Sequence, residues 1–184
     1  MADAFSKNDL SRAEVLIETH RHVLSLAVHN EAGILTRVAG MFTTRGCNID
    51  SLTVAVSEDP AIRGMTIVTS ASSAVVEQII AKLNRLNPVH SVQNLTAQSG
   101  WVERELALLR FSGDADSLKE AVRIAEDAGA RIVATTASTL LIELTGGSIS
   151  IDSLVVRLRA LGAVDAARTG VVAIAGTAPQ LSKD

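Results

Sequence analysis

The chain has 184 residues, of which 47% are apolar, 20% charged and 2% aromatic. Such a composition excludes a disordered chain. With 17 basic and 20 acidic side chains the net charge is −3, which argues against electrostatic capture of nucleic acid or of an anionic membrane. One cysteine, Cys47, excludes an internal disulfide framework and a cysteine-rich zinc site. The opening MADAFSKNDLSRAEVLIETH lacks the continuous apolar run of a secretory signal, and no stretch has the length and apolarity of a membrane span. The expectation is a cytoplasmic protein of one domain or two small ones. With no Tyr, one Trp and three Phe, its sheets also offer no aromatic platform for stacking bases.

Residues 1–21 read as a polar extension with a helical turn around Ala13–Glu18. His22–His29 alternates, with Leu24, Leu26 and Val28 on one face, and predicts a strand. Asn30-Glu31-Ala32-Gly33 is turn chemistry. Leu35, Val38, Ala39 and Phe42 follow at helical spacing, and Arg45-Gly46 closes that helix. Ile49–Val56 and Met65–Thr69 predict two strands around the polar turn Ser57–Pro60. Ser72 or Ser73 caps a helix whose stripe is Val76, Ile79, Ile80 and Leu83. Asn87-Pro88 stops it, and Val89–Leu95 supplies a fourth strand.

After Ser99-Gly100 the order recurs: a strand over Glu105–Phe111, a helix marked by Leu118, Ala121, Val122 and Ala125 and closed by Gly129, strands over Arg131–Ala134 and Thr139–Leu144, a helix marked by Ile151, Leu154, Leu158 and Leu161, then Val164–Ala167 and Val171–Ile174. The chain therefore carries two copies of one βαββαβ unit. The expected class is α+β: two ferredoxin-like domains, residues 22–97 and 103–176, joined by a linker at 98–102 and followed by a tail at 177–184. Each is an antiparallel sheet with helices on one face.

The other face of the first strand carries Val23, Ser25, Ala27 and His29. It is too apolar for a fully solvated surface and predicts cover. Oligomerisation through sheet edges or faces is the predicted cover; the plain alternative is the second repeat or the N-terminal extension of the same chain.

The segment Asn30 to Arg37 joins a strand end to a helix start. The first N–H groups of a helix lack internal partners and carry the positive end of its dipole. Gly33, without a Cβ, lets a ligand approach them. A free amino acid suits this place, its carboxylate on the N–H groups near Gly33, Ile34 and Leu35 and its ammonium on the Asn30 carboxamide oxygen. The plain alternative is a helix capped by Asn30 after an ordinary turn glycine. Asn48 reads either as a turn residue or as a polar contact to a ligand between protomers. In the second copy Asp114 and Asp116 would satisfy the helix start themselves and repel a carboxylate, so any site is expected in the first copy only. Cys47 has no His and acid partners that would make it a nucleophile, and His20, His22, His29 and His90 lack metal-ligand spacing. There is no phosphate loop, nucleophile elbow or catalytic carboxylate motif, so neither catalytic nor metal-binding residues are assigned.

The runs His29-Asn30-Glu31-Ala32-Gly33-Ile34-Leu35-Thr36-Arg37-Val38 and Arg45 to Ala55, with Met65-Thr66-Ile67-Val68, Val102 to Leu108 and Arg168 to Ala173, resemble the small regulatory subunits of acetolactate synthase, an ACT-domain family, over residues 22–176. The resemblance implies an amino-acid-sensing ACT domain followed by a second ACT-like domain. It implies a homodimer through the ACT domains, with ligand at the interface. The implied effector is valine, with isoleucine or leucine as relatives, held by Asn30, Gly33, Ile34, Leu35 and Thr36 of one protomer and Asn48 and Ile49 of its neighbour. The partner implied is a separate catalytic subunit, which would carry thiamine diphosphate, a divalent metal such as magnesium, and FAD; no cofactor is expected in this chain. Two departures stand out. The arginine usually placed directly before Met65 is here Arg63, with Gly64 between. Trp101 replaces a small residue or His, and reads either as an anchor for the partner or as a cap over the domain seam. Competing readings are a free-standing ACT-type sensor and an acylphosphatase-like hydrolase. The second needs an arginine aimed into an anion loop, and Arg37 lies inside a helix.

Overall fold

The computed structural model describes residues 18–176; the extension before residue 18, with most of its expected helical turn, and the tail at 177–184 lie outside the described residues. The elements in chain order are β1 (His20–His29), α1 (Ile34–Thr43), β2 (Ser51–Val56), β3 (Ile62–Ala71), α2 (Ser73–Leu83), β4 (Val89–Asn94), a 3₁₀ turn (Leu95–Ala97), β5 (Val102–Ser112), α3 (Ala115–Asp127), β6 (Arg131–Thr135), β7 (Thr139–Gly146), α4 (Ser148–Arg159), β8 (Ala163–Arg168) and β9 (Val172–Ile174). The first sheet is ordered β2-β3-β1-β4 and the second β6-β7-β5-β8, with antiparallel pairing throughout. The two βαββαβ units expected from the repeat are present.

Period-2 alternation sets each core. Leu24, Leu26 and Val28 of β1 are buried with Met65 and Ile67 of β3 against α1 and α2. Leu109, Phe111, Leu140 and Ile142 do the same beneath α3 and α4. The phase of α1 departs from the sequence reading. Ile34, Val38 and Phe42 are its buried residues, whereas Leu35 is 44% exposed. Gly33, at φ 81°, turns the chain into the helix in a left-handed conformation, so the helix begins at Ile34. Residues 34, 38 and 42 then fall on the inner face.

β9 is the fifth strand of the second sheet, as the sequence order predicts. It pairs only with the first residues of β5, Val102 opposite Ile174 and Arg104 opposite Val172. Its inner residues lie on the helix-free face of the first sheet. There Val23, Val68, Leu95, Val171 and Ala173 form a third buried cluster, with Trp101 packed at its edge. Part of the open face of β1 is thus covered within the chain, as the second of the two readings had it, and Trp101 sits at the domain seam. Ser25 and Ala27 on the same face remain half-buried.

Hydroxyls fix this seam. The Val171 N–H donates to Ser51 Oγ at 3.0 Å and the Ala173 N–H to Thr66 Oγ1 at 3.3 Å. Just before them Gly170 adopts φ +81°, and an added Cβ would stand 2.7 Å from Ser51 Oγ; only glycine passes here without strain. Beside the seam, Arg168 makes a two-bond fork to the buried Glu105 at 2.9 and 2.6 Å and a further bond to Asp152. The hydrogen bonds to Glu105 hold the Arg168 guanidinium above its ordinary pKa.

Candidate functional site

The β1–α1 loop is held by main-chain bonds. His29 N–H donates to Pro88 O at 2.7 Å and Asn30 N–H to Ala61 O at 2.8 Å. The Asn30 carboxamide is oriented at both ends, its Nδ2 donating to Pro60 O at 3.2 Å and its Oδ1 accepting from Arg63 Nε at 2.7 Å. Asn30 therefore does not cap α1. No side chain does, and no acid stands in its first turn. The Ile34 N–H has a long bond of 3.4 Å to Glu31 O, and the N–H groups of Leu35 and Thr36 have no acceptor among the described residues. These donors and the dipole behind them make a site suited to an anion.

A cavity of about 340 Å³ opens here, lined by Asn30, Glu31, Ala32, Gly33, Ile34, Leu35, Val54, Arg63 and Met65. Nothing lies within 4 Å of where a Gly33 Cβ would be, so the approach to the amides is open. Val54, Met65 and Leu35 supply apolar wall. Ile34 belongs mainly to the first core and forms the floor. Thr36 does not line the cavity; only its backbone N–H is at hand. Glu31 is ion-paired with Arg37, so Arg37 is not aimed at an anion.

Asn48 and Ile49 stand elsewhere. They precede β2, with Asn48 beside Thr69 while Val54 pairs with Met65, so about 13 Å of β3 separates them from the cavity wall. The Asn48 side chain is exposed, its carbonyl accepts from Thr69 Oγ1 at 2.6 Å, and Ile49 packs partly against the first core. One chain brings Asn30, Gly33, Ile34 and Leu35 together and leaves Asn48 and Ile49 apart. Val54, Met65 and Arg63 were missed as site residues. Val54 and Met65 were readable as strand residues, but which sheet end meets the loop is set by the hairpin pairing Val54 with Met65.

The corresponding loop of the second repeat is closed. Asp114 caps α3, its Oδ1 accepting from Ser117 N–H at 2.8 Å, and that bond holds the Asp114 carboxyl below the usual carboxylate range. Asp116 pairs with Lys119 at 3.1 Å. A Cβ on Gly113 would meet the Phe111 ring and Ser117 Cβ at 3.0 Å. Charge and space both exclude an incoming carboxylate there. Among the described residues no group of three or more His, Cys, Asp or Glu could hold a metal ion, and no helix is long and apolar enough to cross a membrane.

Two βαββαβ units, the first with an uncapped helix start facing a cavity, define a regulatory protein built of ACT domains. A family model for the AHAS small subunit-like ACT domain matches residues 24–91, and one for the small subunit of acetolactate synthase matches residues 104–177. The chain belongs to the family of acetolactate synthase small subunits. It is 38% identical over 154 residues to a probable acetolactate synthase small subunit of Archaeoglobus fulgidus, covering 84% of this chain and 96% of that one. It is 37% identical over 155 residues to the isozyme 3 small subunit of Escherichia coli, covering 84% and 94%. The crystal structure of the small subunit from Thermotoga maritima superposes with a TM-score of 0.75 at 31% identity, covering 84% of this chain and 96% of that one.

Proposed function

We propose that this chain activates the thiamine-diphosphate-dependent catalytic subunit of acetolactate synthase, which joins two pyruvates into 2-acetolactate with loss of CO2, and that it confers feedback inhibition by valine in branched-chain amino acid biosynthesis. The chain acts in the cytoplasm as a non-catalytic subunit. Thiamine diphosphate, magnesium and FAD are assigned to the catalytic partner. The observation that supports effector binding is the contrast between the two repeats: an open, uncapped helix start beside an apolar wall in the first, and a self-capped, crowded one in the second.

The effector carboxylate lies on the amides of Gly33, Ile34, Leu35 and Thr36, and the isopropyl group lies against Leu35, Val54 and Met65. Asn48 and Ile49 of a second copy complete the site, which makes the homodimer through the ACT domains part of the binding unit. A site closed by two protomers regulates because ligand prefers the arrangement that closes it. The test is reconstitution with a catalytic subunit. Acetolactate formation rises on adding the chain and falls on adding valine; absence of activation overturns the assignment, and activation without a valine response overturns the effector alone.

A further inference from the structure

Arg63 is the charged residue of the cavity that the sequence left without a role. On β3 alternate residues face alternate sides. Arg63 shares the face of Met65, toward the helices and the cavity, while Gly64 takes the opposite face. An arginine at position 64 would point away; moved by one residue it enters the cavity.

Its placement sets the charge of the wall. Arg63 Nε donates to Asn30 Oδ1 at 2.7 Å, and the guanidinium has no carboxylate partner among the described residues. Glu31, the only acid lining the cavity, is neutralised by Arg37. The cavity thus offers one unneutralised cation and uncapped amides for an anion. For an ammonium it offers no free carboxylate. Its best-placed side-chain acceptor, Asn30 Oδ1, already serves a cation, so an ammonium there would meet a like charge. A planar 2-oxo carboxylate carries two coplanar oxygens that match the guanidinium fork.

Resting on the effector site proposed above, we infer that Arg63 determines ligand class in this cavity: it makes the site a receptor for branched carboxylates that does not require an ammonium. The deaminated 2-oxo counterpart of valine binds at least as tightly as valine itself. The keto oxygen and one carboxylate oxygen accept from the Arg63 Nη groups, and the helix amides take the remaining carboxylate oxygen.

Calorimetry on the full chain with L-valine, 3-methyl-2-oxobutanoate and L-valinamide tests this, in the natural sequence and in Arg63→Gln and Arg63→Lys. The natural chain binds the oxo acid with a Kd equal to or below that for valine, and valinamide does not bind. Arg63→Gln weakens the oxo acid at least tenfold, about 1.4 kcal/mol, and weakens valine less; Arg63→Lys retains part of the oxo-acid affinity. Valine binding without oxo-acid binding overturns the inference and leaves the site standing, as does an equal loss of both ligands in Arg63→Gln. Failure of both ligands to bind the natural chain overturns the inference and the site together.

Discussion

Gly33 separates two effects that a loop substitution usually mixes. Its φ of 81° lies where residues with a Cβ are strained, and the space ahead of it is open. Gly33→Ala therefore has no clash to relieve and loses about 1 kcal/mol from the backbone alone, a fall in Tm of about 2–4 °C for a chain of this size. Gly33→Asp meets the same strain, but Asp tolerates the left-handed region better and its carboxylate reaches the uncapped amides, which returns about 0.3–1 kcal/mol. Its net stability change is close to zero. Binding moves the other way. The introduced carboxylate occupies the anion position, so valine loses charge-assisted hydrogen bonds worth about 1.5–3 kcal/mol each, and affinity falls at least tenfold. Thermal unfolding and calorimetry on both variants, with acetolactate formation in the reconstituted complex, read the two effects separately. Full valine sensitivity in Gly33→Asp, or a stability loss there as large as in Gly33→Ala, refutes the reasoning.

Other perturbations follow from the seam and the second repeat. Thr66→Val keeps volume but leaves the buried Ala173 N–H without its acceptor, so urea unfolding shows a loss of about 1–3 kcal/mol; a change within error removes Thr66 from the seam. Glu105→Gln strips the charge from a residue that is 5% exposed, keeps one acceptor oxygen and leaves Arg168 with Asp152 as its one carboxylate partner; because Arg168 is partly solvated, the loss is about 2 kcal/mol, read in the same way. Asp114 has a lowered pKa in the fold, so its cap stabilises at pH above the unfolded carboxylate value of about 4 and is lost as pH falls through the folded value. Asp114→Ala is accordingly less stable than the natural chain at pH 7, and the difference closes toward pH 2; a gap independent of pH contradicts the cap.

Among the described residues the repeat, both sheets and the four helices were legible because their apolar periods are clean and Gly46 and Gly129 mark the ends of α1 and α3. The contrast between the two β–α loops was legible too, since Asp114 and Asp116 announce a self-capped helix. What escaped were consequences of phase and tertiary placement. Ile34 and Leu35 are adjacent and equally apolar, and only the left-handed Gly33 decides which one turns inward. β9 is the last strand of the second sheet, as expected; what the sequence hid is that hydroxyls of Ser51 and Thr66, distant in sequence, also tie its backbone to the face of the first. Arg63 read as a displaced residue of doubtful role, because its cavity exists only once the β2–β3 hairpin swings beside the β1–α1 loop.

The central claim is a ligand site shared between two copies, with Gly33 on one and Asn48 on the other. Mixing the Gly33→Asp and Asn48→Ala variants, at a valine concentration that neither binds alone, tests it most directly. In a two-fold dimer each hybrid has one site with both lesions and one with none. The account predicts that mixing restores binding to about a quarter of the natural stoichiometry; no restoration after subunit exchange contradicts it.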